Sequence, residues 1–410
     1  MHLRTHLRWH LRTKPSRRPF RTKPLRPKHL RARAWAAAGA LAVSLGLAGP
    51  AGTAAGSAPA PGDIVTSAPT SFHPLPGQPT RTRAWHITYR STTAKGAPDV
   101  VSGTVIVPDD GRRGPRPLVT YAVGTVGIAD HCAPSAGFPH GTTVEANLIQ
   151  QLTQRSWAVA VTDYEGLGTP GTHTYTVGRS EGHAVLDAAR AALRLPEAGL
   201  DRESPVGVMG YSQGGQAAGW AAELRDTYAP ELNVKGTAAG GVPADLVRTA
   251  DFDDGRIGAG LVLMGAVGQD AAFPELALDS YLNARGRSLV ARLKEHCVAA
   301  DVLAGMFKRI SDVTVRNPLQ MPDWQRVLHS SDLGTHAPDR PVRLYHGTLD
   351  ELIPYAGARQ LRSDWCAKGA VVDWKPLPLA EHVTGGIAGS VPAADWLADR
   401  FAGKQAAADC

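Results

Sequence analysis

The pattern of apolar and polar positions changes character along the chain. Residues 34–48 form an Ala- and Leu-rich apolar run behind an Arg-rich stretch, and residues 59–80 are rich in Pro, Ser, Thr and Gly and read as a linker. From Trp85 onward, apolar runs of strand length recur. Residues 86–91 and 100–107 alternate and predict an antiparallel pair. The runs at 117–123, 157–162, 204–209, 234–240, 342–346 and 371–375 have the short apolar character of strands buried on both faces. Helical patterns lie between most of them. Ser180 is placed to cap a helix carrying Val185, Leu186, Ala189, Ala192 and Leu193 on one face and stopping at Pro196, and 213–224 forms another. Strands alternating with helices predict an α/β fold with a mostly parallel sheet flanked by helices. One interval breaks the rhythm: about 100 residues separate the run ending near Gly240 from the one at Val342, far more than a crossover needs. Leu289, Leu293, Val298, Leu303 and Met306 give 285–309 a helical pattern, so 244–336 is expected to be a helical insertion capping one edge of the sheet.

Composition alters this picture at the N-terminus. The formal charge of +7 suggests a nucleic-acid binder, but residues 1–34 hold 12 Lys/Arg and no acid, and the chain from Asp63 onward carries 32 Lys/Arg against 37 Asp/Glu. The basicity belongs to the leader, and the body lacks the electrostatic footprint for nucleic acid. A basic stretch, an apolar run and small residues through Ala60 predict a signal peptide over 1–58, cleaved between Ala54 and Ala60, and hence a secreted protein. The apolar run is too short and too rich in Ala and Gly for a good membrane anchor. Ser16-Arg17-Arg18-Pro19-Phe20 is similar to the start of a twin-arginine signal, a pattern that an Arg-rich stretch also produces by chance. Four cysteines after the leader, none in a C-x-x-C, read as two disulfides in an exported chain. No metal-ligand or Walker pattern is present, and no cofactor is called for.

The chemistry concentrates at Gly210-Tyr211-Ser212-Gln213-Gly214, a G-x-S-x-G set between an expected strand and an expected helix. A nucleophile elbow needs that context: small residues let strand and helix approach, and the turn lifts the hydroxyl toward the helix N-terminus. A serine needs a base and the base an orienting acid, in the chain order Ser, acid, His. Asp350 leaves the strand at 342–346, with Glu351 the alternative, and His382 is the one histidine that follows. The backbone N–H of Gln213 is the expected oxyanion donor, joined by Thr125 (alternatively Gly124) from the loop after 117–123. Gly166, Gly168 and Gly171 form a G-x-G-x-x-G, but no helix opens there, which argues against a dinucleotide site. Tyr164 and Glu165 leave the same strand near the expected pocket, and His131, His140, His173 and His183 read as loop or helix-surface residues.

Three separated segments carry a resemblance. Thr125 through Ser135 resembles the "GTxGxADxCAPS" segment of the secretory lipases of actinobacteria and yeasts, the lipase-A-like group. Asp163-Tyr164-Glu165-Gly166-Leu167-Gly168 and Gly210-Tyr211-Ser212-Gln213-Gly214-Gly215 are similar to further segments of that family, in the same order. The resemblance spans about residues 80–403. It implies an α/β-hydrolase domain over 81–403 with a helical cap, a C-terminal tail at 404–410, carboxylic-ester hydrolysis and a triad of Ser212, Asp350 and His382. It also places Cys132 opposite a cysteine of the cap, here Cys297, which leaves Cys366 to pair with Cys410 and pin the tail. Val123 departs from relatives that carry "HGT" there. The expected function is a secreted lipase or esterase acting on ester or lipid substrates, with no stable membrane span. A serine peptidase, an acyltransferase and a non-catalytic lipid-binding module are the rivals; the first would need an anchor for a peptide terminus, and none is legible.

Overall fold

A computed structural model describes residues 59–410 apart from Arg113; the expected signal peptide and twin-arginine pattern lie outside the described residues. Among the described residues nine strands form one sheet: β1 (Ile64–Thr70), β2 (Thr82–Thr92), β3 (Pro98–Pro108), β4 (Leu118–Ala122), β5 (Ala158–Tyr164), β6 (Val206–Tyr211), β7 (Val234–Gly240), β8 (Val342–Gly347) and β9 (Val372–Leu377). Their order is β1-β2-β3-β5-β4-β6-β7-β8-β9. The first three and β5 pair antiparallel, and every pairing from β5 through β4 to β9 is parallel.

Helices α1 (Pro134–Gly137) and α2 (Ala146–Thr153) follow β4, α3 (Gly178–Arg194) follows β5, and α4 (Gln213–Tyr228) follows β6. Between β7 and β8 lie α5 (Leu246–Asp253), α6 (Ala259–Ala272), α7 (Ala284–Leu293), α8 (Val298–Gly305), α9 (Ile310–Val313) and α10 (Pro322–His329). Helices α11 (Tyr355–Ala367) and α12 (His382–Phe401) complete the domain. Period-two alternation divides the sheet between two cores. Leu118, Ala158 and Ala160 face Ala189, Ala217, Leu361 and Trp365 of α3, α4 and α11. Val119, Val159 and Val161 face Ile149, Leu152 and Leu397 of α2 and α12. The helices between β7 and β8 have a third core, with Leu263, Met264, Leu289 and Trp324 at its centre.

The structure departs from the sequence pattern in several places, the first being α3, which starts at Gly178 with Val177 as its N-cap, so that Ser180 lies inside the first turn instead of capping it. Residues 64–70 are not linker: they pair with β2 from Ile64↔Tyr89 to Thr70↔Ala84. The strand is mostly exposed, so no apolar alternation marks it, and Pro69 is tolerated at a sheet edge. The helical stretch at 285–309 is two helices. Between them Cys297 is bonded to Cys132, and the Val298 N–H donates to the Val126 carbonyl (2.8 Å), which draws the backbone out of helical register. Finally, His173 and His183 are buried rather than on the surface. The tail is tied down by the Cys366–Cys410 bond and by the Asp409 N–H, which donates to the Val372 carbonyl (2.8 Å) along the open edge of β9.

Candidate active site

Ser212 stands between β6 and α4 with φ 61° and ψ −125°, a left-handed backbone that a non-glycine residue holds only under tertiary constraint. Two glycines make the turn passable. A Cβ on Gly210 would lie 2.1 Å from the Gly214 carbonyl oxygen, and one on Gly214 would lie 1.9 Å from that of Ala122. Ser212 is the N-cap of the 16-residue α4, whose first N–H groups have no intrahelical partner.

Two loops at the same end of the sheet bring partners to this hydroxyl. His382 opens α12, and its Nε2 is 3.0 Å from Ser212 Oγ. On the other side of the ring, Nδ1 is 2.8 Å from Asp350 Oδ2. Asp350 sits in the turn after β8, its Oδ1 accepting from the N–H groups of Leu352 (3.0 Å) and Ile353 (2.8 Å). Burial alone would raise the Asp350 carboxyl, but hydrogen bonds from His346 and His382 outweigh it and hold the group well below the usual carboxylate range. Glu351, the alternative acid, instead accepts the backbone N–H of His382 (2.9 Å). Tyr211 steadies the same residue, donating its hydroxyl to the His382 carbonyl (2.8 Å). His346 was not legible as part of the site. It lies inside β8, fully buried, and only the turn after that strand folds Oδ2 of Asp350 back to 3.3 Å from its Nε2.

The loop after β4 faces the elbow. Val123 accepts from the Tyr164 hydroxyl (2.7 Å), Gly124 donates its N–H to Glu145 Oε1 (3.0 Å), and the Thr125 hydroxyl meets that of Tyr175 (2.8 Å). The Gly124 N–H is therefore engaged, while the Thr125 N–H has no partner among the described residues. Burial pushes Glu145 up to about 7.

Behind the elbow the Gln213 side chain is held by two buried groups that the sequence did not single out for this role. Its Nε2 is 3.1 Å from His173 Nε2 and 2.9 Å from Glu181 Oε1. Burial drives His173 down to about 4, and its Nδ1 donates to the Glu165 carbonyl (3.0 Å), which leaves Nε2 free to accept. Burial lifts Glu181 up to about 8. Glu165 itself binds Ser180 and Thr174. A cavity of about 1140 Å³, counted to its open mouth, runs from Ser212 and Gln213 into the helices above, between Leu246, Leu263, Leu278, Leu289, Val313 and Trp324. One group of possible metal ligands occurs among the described residues, His131 with Cys132 and Cys297, and its two sulfurs are joined as a disulfide.

A serine on a strand–helix elbow, hydrogen-bonded to a histidine and a carboxylate from later loops, within a sheet of this topology, defines an α/β hydrolase. The chain matches the secretory lipase family over residues 136–409 and belongs to it. It is 31% identical over 349 residues to a secreted triacylglycerol lipase of Malassezia globosa, covering 80% of this chain and 74% of that one. It is 30% identical over 358 residues, 84% of this chain and 79% of the other, to a protein of Mycobacterium tuberculosis named a probable inactive lipase. Lipase A of Candida antarctica, solved in its closed state, superposes with a TM-score of 0.77 at 27% identity, over 86% of this chain and 85% of that one. The protein is thus a lipase or esterase, a carboxylic-ester hydrolase whose relatives include secreted enzymes. Among the described residues no single helix is long and apolar enough to cross a membrane.

Proposed function

We propose that Ser212, His382 and Asp350 form the catalytic triad of a secreted, triacylglycerol-lipase-like enzyme. The observation that carries this is the unbroken line from Ser212 Oγ through both nitrogens of His382 to Asp350 Oδ2. The carboxylate accepts the Nδ1 proton, so Nε2 faces the serine as a base. Ser212 Oγ attacks the ester carbonyl and passes its proton to Nε2, and Asp350 holds the ring and stabilises the imidazolium. The tetrahedral oxyanion is bound by the N–H groups of Gln213 and Thr125. His382 returns the proton to the leaving alcohol; water then enters by the same base and frees the acid from the acyl-enzyme. Since a relative in this family is named inactive, activity is read from these residues rather than from membership.

The cavity supports an acyl chain as the bound part of the substrate, because burying a methylene in apolar surroundings contributes about 0.8 kcal/mol. Such a substrate is met at a lipid–water interface, and export by the signal peptide expected over 1–58 takes the enzyme there. The test is a panel of p-nitrophenyl esters of graded chain length beside peptide anilides and alcohol acceptors, run on the wild type and Ser212→Ala. Ester hydrolysis that falls by about 10⁴ or more in the variant supports the reading. A folded Ser212→Ala protein keeping a tenth of the wild-type rate overturns it, as does a preference for anilides.

A further inference from the structure

The cavity above Ser212 is apolar except at a few points, and one of these has no structural task. Asp253, the last residue of α5, lines the cavity and is 1% exposed. Its Oδ1 has no hydrogen-bond partner among the described residues, although a buried unpaired oxygen normally finds one. Its carboxyl lies against Gly258, the N-cap of α6, yet makes no hydrogen bond there; a Cβ at 258 would fall 2.3 Å from Oδ1. Gly258 thus leaves open the space that the carboxyl occupies. Asp253 lines the same cavity as Ser212 and Gln213. Burial pushes it up to about 7, so near neutral pH much of it is a carboxylic acid that can both donate and accept.

Resting on the triad reading above, we propose that Asp253 determines specificity by binding a neutral hydroxyl carried by the ester in this cavity, and that the enzyme prefers esters bearing such a group. A plain hydrocarbon substrate leaves Asp253 unpaired, whereas a hydroxyl can both give it a hydrogen bond and take one. A site built to bind a hydroxyl discriminates against the analogue that lacks it, because the buried polar group is then stranded. A neutral partner suits this position better than a cation, since an ammonium would have to be stripped of water among Leu246, Leu263 and Leu278. The hydroxyl has two possible sources: the alcohol half of the ester, as in a partial glyceride, or the acyl half, as in a hydroxy acid.

The experiment compares kcat/KM within matched pairs: a glycerol monoester against the propyl ester of the same acid, and a hydroxyacyl methyl ester against its unsubstituted parent. The wild type is expected to favour the hydroxylated member of at least one pair by about 10-fold to 100-fold, and the arm that responds identifies the source. In Asp253→Leu the ratio for that pair should fall toward one; in Asp253→Asn, whose amide still donates and accepts, it should stay above the leucine value. A ratio taken within one preparation does not depend on the fraction of active enzyme, so a poorly folding variant still reports. Wild-type ratios near one in both arms, or a ratio unchanged in Asp253→Leu, would overturn the proposal while leaving the triad intact. Failure of the triad reading shows up differently, as ester hydrolysis that survives Ser212→Ala.

Discussion

Replacing Asp350 by Asn tests the site at one atom. Both backbone donors, from Leu352 and Ile353, converge on Oδ1, while His382 Nδ1 and His346 Nε2 converge on Oδ2. An asparagine keeps its oxygen toward the two N–H groups and must therefore put its NH₂ where Oδ2 was. That NH₂ meets His382 Nδ1 donor to donor across 2.8 Å. The conflict is relieved only if His382 moves its proton to Nε2, and the ring then offers Ser212 an N–H instead of a lone pair. The serine loses its base and the imidazolium its counter-charge. A fall of about 10⁴ in kcat follows from such a tautomer error, equivalent to about 5.4 kcal/mol of barrier at 1.36 kcal/mol per decade. KM should change little, because no atom of the cavity wall is altered. The assay is steady-state hydrolysis of a short p-nitrophenyl ester from pH 6 to 9, with a thermal melt to show that the variant is folded. Glu351→Gln is the companion, and since the amide oxygen still accepts the His382 N–H its loss should be far smaller. A folded Asp350→Asn enzyme within tenfold of wild type would refute the reasoning, and a larger loss in Glu351→Gln would move the acid to Glu351.

Glu181→Gln should gain stability relative to the wild type as pH rises. The wild-type carboxyl, lifted from 4.5 to about 8, keeps a proton that the unfolded chain has already shed, so its contribution is whole below about 4.5 and lost as pH climbs through 8. Thermal melts from pH 5 to 9 should show the difference widening in favour of the variant; a constant difference would exclude a buried protonated Glu181. Non-reducing peptide mapping of the exported protein should join Cys132 to Cys297 and Cys366 to Cys410, and a Cys132–Cys366 or Cys132–Cys410 peptide would contradict both. Cys297→Ser removes closure of a 165-residue separation, for which the chain-entropy model sets an upper limit of about 5 kcal/mol. A melting temperature equal to that of the wild type would show that the cap needs no such tether.

What the sequence determined by itself is whatever depends on local pattern and chain order. Two-sided burial made β4 to β8 legible as apolar runs, and the helices between them as amphipathic faces. Ser212 was readable because its flanking glycines at 210 and 214 fall between a strand-like run and a helical one, and His382 because chain order left one candidate after Asp350. The choice between Asp350 and Glu351 needed the structure: two adjacent carboxylates in one turn point in different directions, and only the backbone path decides which meets the imidazole. Edge strand β1 was missed for a related reason, since an exposed strand is defined by backbone pairing to β2 and leaves no apolar trace. The same holds for His346, His173, Glu181 and Asp253. Their roles arise from burial and from partners up to 40 residues away in the chain, as His173 and Gln213 are, and desolvation, which shifts three of them away from their ordinary titration, is a property of the packed environment that no spacing of residues encodes.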